Sequence, residues 1–211
     1  VALLGTALVE HGWQWHKGVD RETPSLTLAA SDEIVWSIGL VSRDFSANEV
    51  GFNPTLGITH VEVGRLAATF NGRQWRGPGD SSLLGRSLSA LLCDAGISNA
   101  PYPRWIIEGE SEVEIKTQVI LDDIENYAAP FWSAFSDLDS QIFWMRNDMG
   151  YQALVGNLSI ALAVAGAREE AARALKAYAE FAPQAVGPLR VRTDSFLELF
   201  SAHFGIDPAA T

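Results

Sequence analysis

Between Glu108 and Glu125 stand seven carboxylates, Glu108, Glu110, Glu112, Glu114, Asp122, Asp123 and Glu125, against the single base Lys116. This stretch therefore supplies −6 of a net charge of −11. Two carboxylates can act as general acid and base, and Glu110 and Glu114 fall at i, i+4, where a helix would set them on one face. Asp122-Asp123 follow about two to three turns further on. A catalytic pair needs burial to move one of its pKa values, and an exposed run of acids lacks that burial. A dense negative face would instead attract and steer a cationic partner. It would repel nucleic acid, whose phosphates require a basic stripe. The same residues also make a solvated, solubilising face, and Glu112 and Glu114 would sit favourably in the positive first turn of a helix capped by Ser111.

Other strings carry parts of catalytic patterns. Gly79-Asp80-Ser81-Ser82-Leu83 is similar to the Gly-Asp-Ser-Leu signature of a group of serine esterases. Its context differs: a polar loop from Arg73 to Gly79 precedes it where a buried strand belongs, and only Asp194 and His203, at the wrong spacing, stand in for a base. No Gly-x-Ser-x-Gly elbow is present. The histidines are His11, His16, His60 and His203. His11 and His16 flank an expected helix end, so they do not stack at i, i+4 as a zinc pair would. His60-Val61-Glu62 matches half of a zinc deaminase signature, whose Cys-x-x-Cys half is impossible with Cys93 as the sole cysteine. Neither a Gly-x-x-x-x-Gly-Lys loop nor a Gly-x-Gly-x-x-Gly fingerprint occurs, so no nucleotide cradle is read. No metal, cofactor or catalytic residue is assigned.

The elements that would position these residues follow from pattern. Apolar residues make up 47% of the 211 and charged residues 19%, enough for a sizeable core and far from a disordered composition. One cysteine excludes an internal disulfide, and Cys93 within Leu91-Leu92-Cys93 is expected to be an inert buried thiol. The longest apolar stretches, such as Leu158 to Ala167, fall short of the roughly 20 residues that span a bilayer. A soluble, cytoplasmic protein is expected, and a start at Val1 instead of Met leaves room for an upstream segment.

Val1 to Gly12 has helical spacing, ended by Gly12. Trp13, Trp15, Leu26 and Leu28 alternate, and Trp36, Ile38 and Leu40 share one face of a strand, with Asp32-Glu33 as the hairpin turn. Glu49 to Asn53 reads as a strand closed by Pro54. Thr59 to Phe70 reads as a helix with Thr59 as cap and Glu62 completing a capping box. Leu83 to Ala95 leans to helix, Asn99 to Pro103 is a turn, and Arg104 to Glu108 is a last strand completing the sheet. Helices are expected over Ser111 to Tyr127, from Phe131 to Asn147 after a break at Pro130, over Tyr151 to Ala165, over Arg168 to Phe181 and over Thr193 to Phe204. Ala161, Ala165, Ala171 and Ala172 would let two of these approach closely, and that pair resembles one helix pair of a tetratricopeptide-type repeat, without a second copy. Strands first and helices afterwards is an α+β pattern. The reading is a single α+β domain over residues 1–211. A small antiparallel sheet of about four to five strands with N-terminal and middle helices occupies 1–109, and an all-helical half, 110–211, packs on it.

The stretch Asn53-Pro54-Thr55-Leu56-Gly57-Ile58-Thr59-His60 resembles an uncharacterised bacterial domain family in which an Asn-Pro-x-x-Gly-[Ile/Val]-x-His block joins a small sheet to a helix. In this likeness Asn53, Pro54, Gly57 and His60 are structural: Pro54 ends a strand, Gly57 allows a tight turn, and His60 ties the first helical turn to the sheet. Members with this pattern resemble immunity-type proteins, cytosolic antagonists of bacterial toxins. The resemblance, taken with the charge, implies a non-enzymatic inhibitor of a cationic toxin, with Glu108, Glu110, Glu112, Glu114, Asp122, Asp123 and Glu125 as the binding residues; charge and the short apolar stretches predict neither nucleic acid nor membrane as partner. A regulatory or scaffold protein, and a hydrolase with an unrecognised carboxylate site, are the alternatives. Oligomeric state is not read from the sequence.

Overall fold

A computed structural model describes residues 2–16, 24–46, 49–78, 82–98, 105–147, 156–181 and 188–207. The chain groups into two compact units, each made of two chain segments: unit 1 is Val1–Thr59 with Leu84–Phe135, and unit 2 is His60–Leu83 with Ser136–Thr211. This grouping does not follow the division expected at 109/110. The helical residues 113–135 belong with the strands, and residues 60–83 belong with the C-terminal helices.

Unit 1 opens with α1 (Ala2–Glu10), whose Leu4, Gly5 and Leu8 are buried. Gly12, at φ +89°, reverses the chain after α1, a conformation that costs glycine little. The chain then enters β1 (Gln14–His16), β2 (Ser25–Ala29) and β3 (Ile34–Gly39). β1 pairs antiparallel with β2 and β2 with β3, in a register that sets Leu26 opposite Ile38 and Leu28 opposite Trp36. The expected turn between β2 and β3 is present: Ala30 and Ser31 donate their N–H groups to Ile34 O, and Ser31 Oγ accepts from Glu33 N and Ile34 N. The expected single apolar face of β3 is not. Ile34, Val35, Ser37 and Ile38 are all buried while Trp36 is half-buried, so both faces are covered.

β4 (Ser42–Ser46) and β5 (Glu49–Phe52) form a second sheet with β8 (Trp105–Ile107), in the order β4-β5-β8. The strand at Trp105 thus exists as expected, but it pairs with β5, Phe52 facing Trp105, and does not complete the first sheet. That sheet has five strands, β1-β2-β3-β6-β7, and gains β6 (Thr55–His60) and β7 (Leu84–Ser87), where a turn and a helix were expected. β6 is buried at every position after Thr55, so it lacks the alternation that marks a half-exposed strand. β7 runs directly into α3 (Leu88–Asp94), whose cap is Ser87, its Oγ accepting from Ala90 N.

After a 3₁₀ turn over Glu110–Glu112, α4 (Val113–Asp123) passes through a π turn, Ile124–Ala128, into α5 (Ala129–Ala134). Pro130 therefore begins α5 and does not break the helix. Proline cannot donate to the ladder and crowds the carbonyl of the preceding turn, and the widened turn, closed by Ala129 N to Ile124 O, gives it room. α1 packs on α4, and α3 packs on the π turn.

Unit 2 is helical: α2 (Val61–Phe70), α6 (Leu138–Arg146), α7 (Asn157–Val164), α8 (Arg168–Phe181) and α9 (Pro188–Phe204). α7 and α8 form the expected hairpin, with Ala161, Ala171 and Ala172 buried and Ala165 exposed at the C-cap. α2 packs against α7 and α9. Phe70, Phe196 and Phe200 make the core of unit 2, with ring centroids 5.6 Å and 5.9 Å from Phe70. The molecule is an α+β fold with a five-stranded sheet and a helical C-terminal half. No described helix is long and apolar enough to cross a membrane.

Candidate functional site

The acidic segment falls in unit 1, on the 3₁₀ turn, α4 and the π turn. Gly109 precedes the 3₁₀ turn in extended conformation with no side-chain cap, so Ser111, which is exposed, does not cap this helix as expected. Glu108, Glu110 and Glu114 are exposed, and half-buried Glu112 turns back to accept from Glu108 N through Oε2 at 3.2 Å. On α4, residues four apart stack on one face. Glu114, Gln118 and Asp122 are all exposed and form such a stripe, continued by exposed Glu125. Gln118 Nε2 donates to Asp122 Oδ1 at 2.8 Å. Among the described residues none of the seven carboxylates has an ion-pair partner.

Asp123 does not belong to this face. One residue past Asp122, a helix has turned by about 100°. That rotation puts Asp123 on the inner side with Ile120 and Ile124, only 8% exposed, where its Oδ2 accepts from Trp105 Nε1 at 3.0 Å. The carboxylate is a structural acceptor for a buried indole.

The acidic stripe ends at a cleft of about 340 Å³ that lies wholly within unit 1. Its walls are three tryptophans from three elements. Trp13 follows α1, Trp36 stands on β3 across from Leu28, and Trp132 comes from α5. Trp36 stacks on Trp132 with centroids 5.4 Å apart and planes 8° apart, and Trp13 tilts against Trp132 at 5.2 Å. Leu8, Leu28 and Leu121 add apolar surface, and the exposed rim is His11, Gln118, Asp122 and Glu125. His11 Nδ1 lies 2.8 Å from Ala7 O. A carbonyl only accepts, so Nδ1 carries a proton and donates to it. The rim is thus rich in acceptors and negative charge over an aromatic wall. The indole N–H groups of Trp36 and Trp132 are buried with no acceptor among the described residues. Unpaired buried donors are uncommon and concentrate where a ligand or water completes them.

No protein family, curated protein or solved structure matches the chain. Asn53 Oδ1 accepts from Ser89 N at 3.4 Å and Pro54 O from Leu88 N at 2.8 Å, so both tie β6 to the start of α3. Gly57 is not in a turn: it lies in β6 opposite Gly85. His60, and not Thr59, caps α2, its Nδ1 accepting from Val63 N at 3.5 Å. Cys93 is half-buried, more open than expected.

Asp194 and His203 both lie on α9, nine residues apart in the sequence. That is about 13 Å of helix rise, too far for an acid–base dyad. Of the esterase-like string, Gly79, Asp80 and Ser81 lie outside the described residues, as does the turn expected at 99–103. Among the described residues no group of three or more His, Cys, Asp or Glu side chains is placed to hold a metal ion. In unit 2, the Arg65 guanidinium, bound to Glu62 at 2.7 Å, holds that carboxyl below its ordinary range, and burial raises the Tyr178 hydroxyl above its own.

The cleft itself carries no sequence signature. Trp13, Trp36 and Trp132 are far apart in the chain, and each reads locally as ordinary core. The one available signal was Asp122 and Glu125 on the outer face of a helix that also carries Leu121.

Proposed function

We propose that the chain is a non-enzymatic binding module that takes a cationic protein on the acidic face of unit 1. We further propose that it works as an inhibitor, in the manner of the immunity-type proteins that its Asn53–His60 block resembles. The observation that carries this reading is the stripe of exposed carboxylates, Glu108, Glu110, Glu114, Asp122 and Glu125, none of them neutralised by a described base. Carboxylates left open to solvent impose no desolvation cost until a partner arrives, and several in a row raise the association rate of a cationic partner in a salt-dependent way.

A basic cleft, such as one that holds a phosphodiester backbone, is complementary to an acidic ridge, and an inhibitor that fills it needs no chemistry of its own. The test is affinity capture from the source cell with the whole chain as bait, at low and at high ionic strength. A basic protein with toxin or nuclease character that is retained at low salt and released at high salt supports the reading. No protein retained under either condition, or an acidic partner indifferent to salt, contradicts it.

A further inference from the structure

We infer that the cleft lined by Trp36 and Trp132 binds a small uncharged molecule, with an apolar body of about two rings and a carbonyl-type oxygen that accepts from the buried indole N–H groups. The site stands whether or not a protein sits on the acidic face. Its size sets the body, because an apolar cavity of about 150 Å³ takes one benzene ring and this cleft has about 340 Å³. That volume also reaches the lower end of the range for small-molecule sites. Leu28, Leu121 and Ala129 are half-buried and offer apolar surface, backed by buried Leu8 and Ile124. The π turn Ile124–Ala128 supplies part of this wall, and widened turns of that kind recur at functional sites.

The indoles call for an acceptor, not for a ring or a cation on their faces. Trp13 and Trp132 are 7% and 2% exposed, and Trp132 is already covered by Trp13 and Trp36. The Nε1 donors of Trp36 and Trp132 are buried without an acceptor among the described residues. A buried donor left unpaired is costly, and a carbonyl oxygen with two lone pairs relieves that cost, whereas an ammonium or guanidinium brings only more donors. Trp36 is the half-buried wall, so the ligand's oxygen reaches the pair by turning that one side chain, a rotamer change of the kind that binding commonly involves. The rim sets the charge. Asp122 and Glu125 are exposed there, without an ion-pair partner among the described residues, and they repel a carboxylate that would otherwise serve as the acceptor. An uncharged oxygen satisfies both ends of the cleft.

Compounds that share one bicyclic body separate these requirements: the ketone α-tetralone is a neutral acceptor, the matching amine a cation with donors only, and the matching carboxylate an anion with acceptors. Nitrogen-15 spectra of the full chain would follow the indole N–H signals of Trp36 and Trp132 during each titration. The ketone should give saturable shifts of both signals, and the amine and the carboxylate should bind at least roughly tenfold more weakly. Trp36→Phe removes one donor and keeps a ring, and it should weaken the ketone roughly fivefold or more. The comparison of the compounds on the parent chain decides the matter by itself if that variant fails to fold.

No saturable shift of either indole signal with the ketone would overturn the inference. So would an amine or a carboxylate that binds as tightly as the ketone, or a folded Trp36→Phe protein that binds the ketone unweakened.

Discussion

Asp122 and Asp123 are the same residue side by side, and the helix gives them opposite work. Asp122 faces out on the rim of the cleft, and Asp123 faces in and holds the Trp105 indole. Removing the inner one strands a buried donor, so Asp123→Ala should cost about 1–3 kcal/mol in a denaturant titration. Asp122→Ala should stay within about 0.5 kcal/mol of the parent. Similar losses for the two would show that the inner hydrogen bond does not matter. Nothing in the dipeptide distinguishes these roles; only the phase of α4 against Ile120 and Ile124 does, and a helix counted from Ser111 hides that phase because the chain there is a 3₁₀ turn.

A second single-residue effect concerns pH. The guanidinium of Arg65 holds the Glu62 carboxyl below its ordinary range, with smaller contributions from the charges of His203 and His60. A depressed folded-state value means that this pair's contribution is complete above the ordinary carboxylate pKa and is lost as pH falls through the lowered one. Glu62→Gln should therefore reduce the difference in melting temperature between pH 7 and pH 3. An unchanged difference would show that the exposed pair contributes nothing measurable.

Among the elements, α1 carries an instructive glycine. Gly5 lies inside a helix, where alanine is ordinarily favoured by about 1 kcal/mol. Here a Cβ would sit 1.7 Å from the Trp15 ring, which occupies the space a side chain would need. Gly5→Ala should thus destabilise the protein by about 1–3 kcal/mol through overpacking, seen as a lowered melting temperature. A rise in melting temperature would mean that Trp15 can move aside at no cost.

Element by element, the sequence was readable where periodicity is one-sided. The hairpin at Asp32-Glu33, the end of α1 before Gly12 and the α7–α8 pair are all legible in it. It failed where an element is covered on every side. β6 is buried at five successive positions, and Pro54 just before it and Gly57 within it mimic a turn, so a central strand reads as a connection. β7 was hidden for a different reason. Leu84–Ser87 enters α3 without a loop, and the combined apolar run has a single helical look. His60 escaped as a cap because histidine is not among the residues that usually fill that position.

At the scale of the whole molecule, the acidic excess lies in unit 1. Unit 1 holds fifteen acidic side chains against six basic ones, and unit 2 eleven against nine. Along the sequence the excess is C-terminal, sixteen acids against seven bases over residues 108–211 and ten against eight over residues 1–107, because the acidic helix follows the strands with which it groups. The α+β class and the acidic segment were legible, since both depend on local composition. The cleft was not, because it exists only when the end of α1, one strand and α5 meet, and no spacing records that meeting.

The claim that a cationic protein is held on this face is tested most directly by its affinity for the captured partner after Glu110→Lys and Glu114→Lys, measured across a salt series. Both positions are exposed, so the fold should be unaffected. The account predicts that the doubly reversed protein binds at least roughly tenfold more weakly at low salt, with the gap narrowing as salt screens both proteins. Equal affinity at every salt concentration would contradict it.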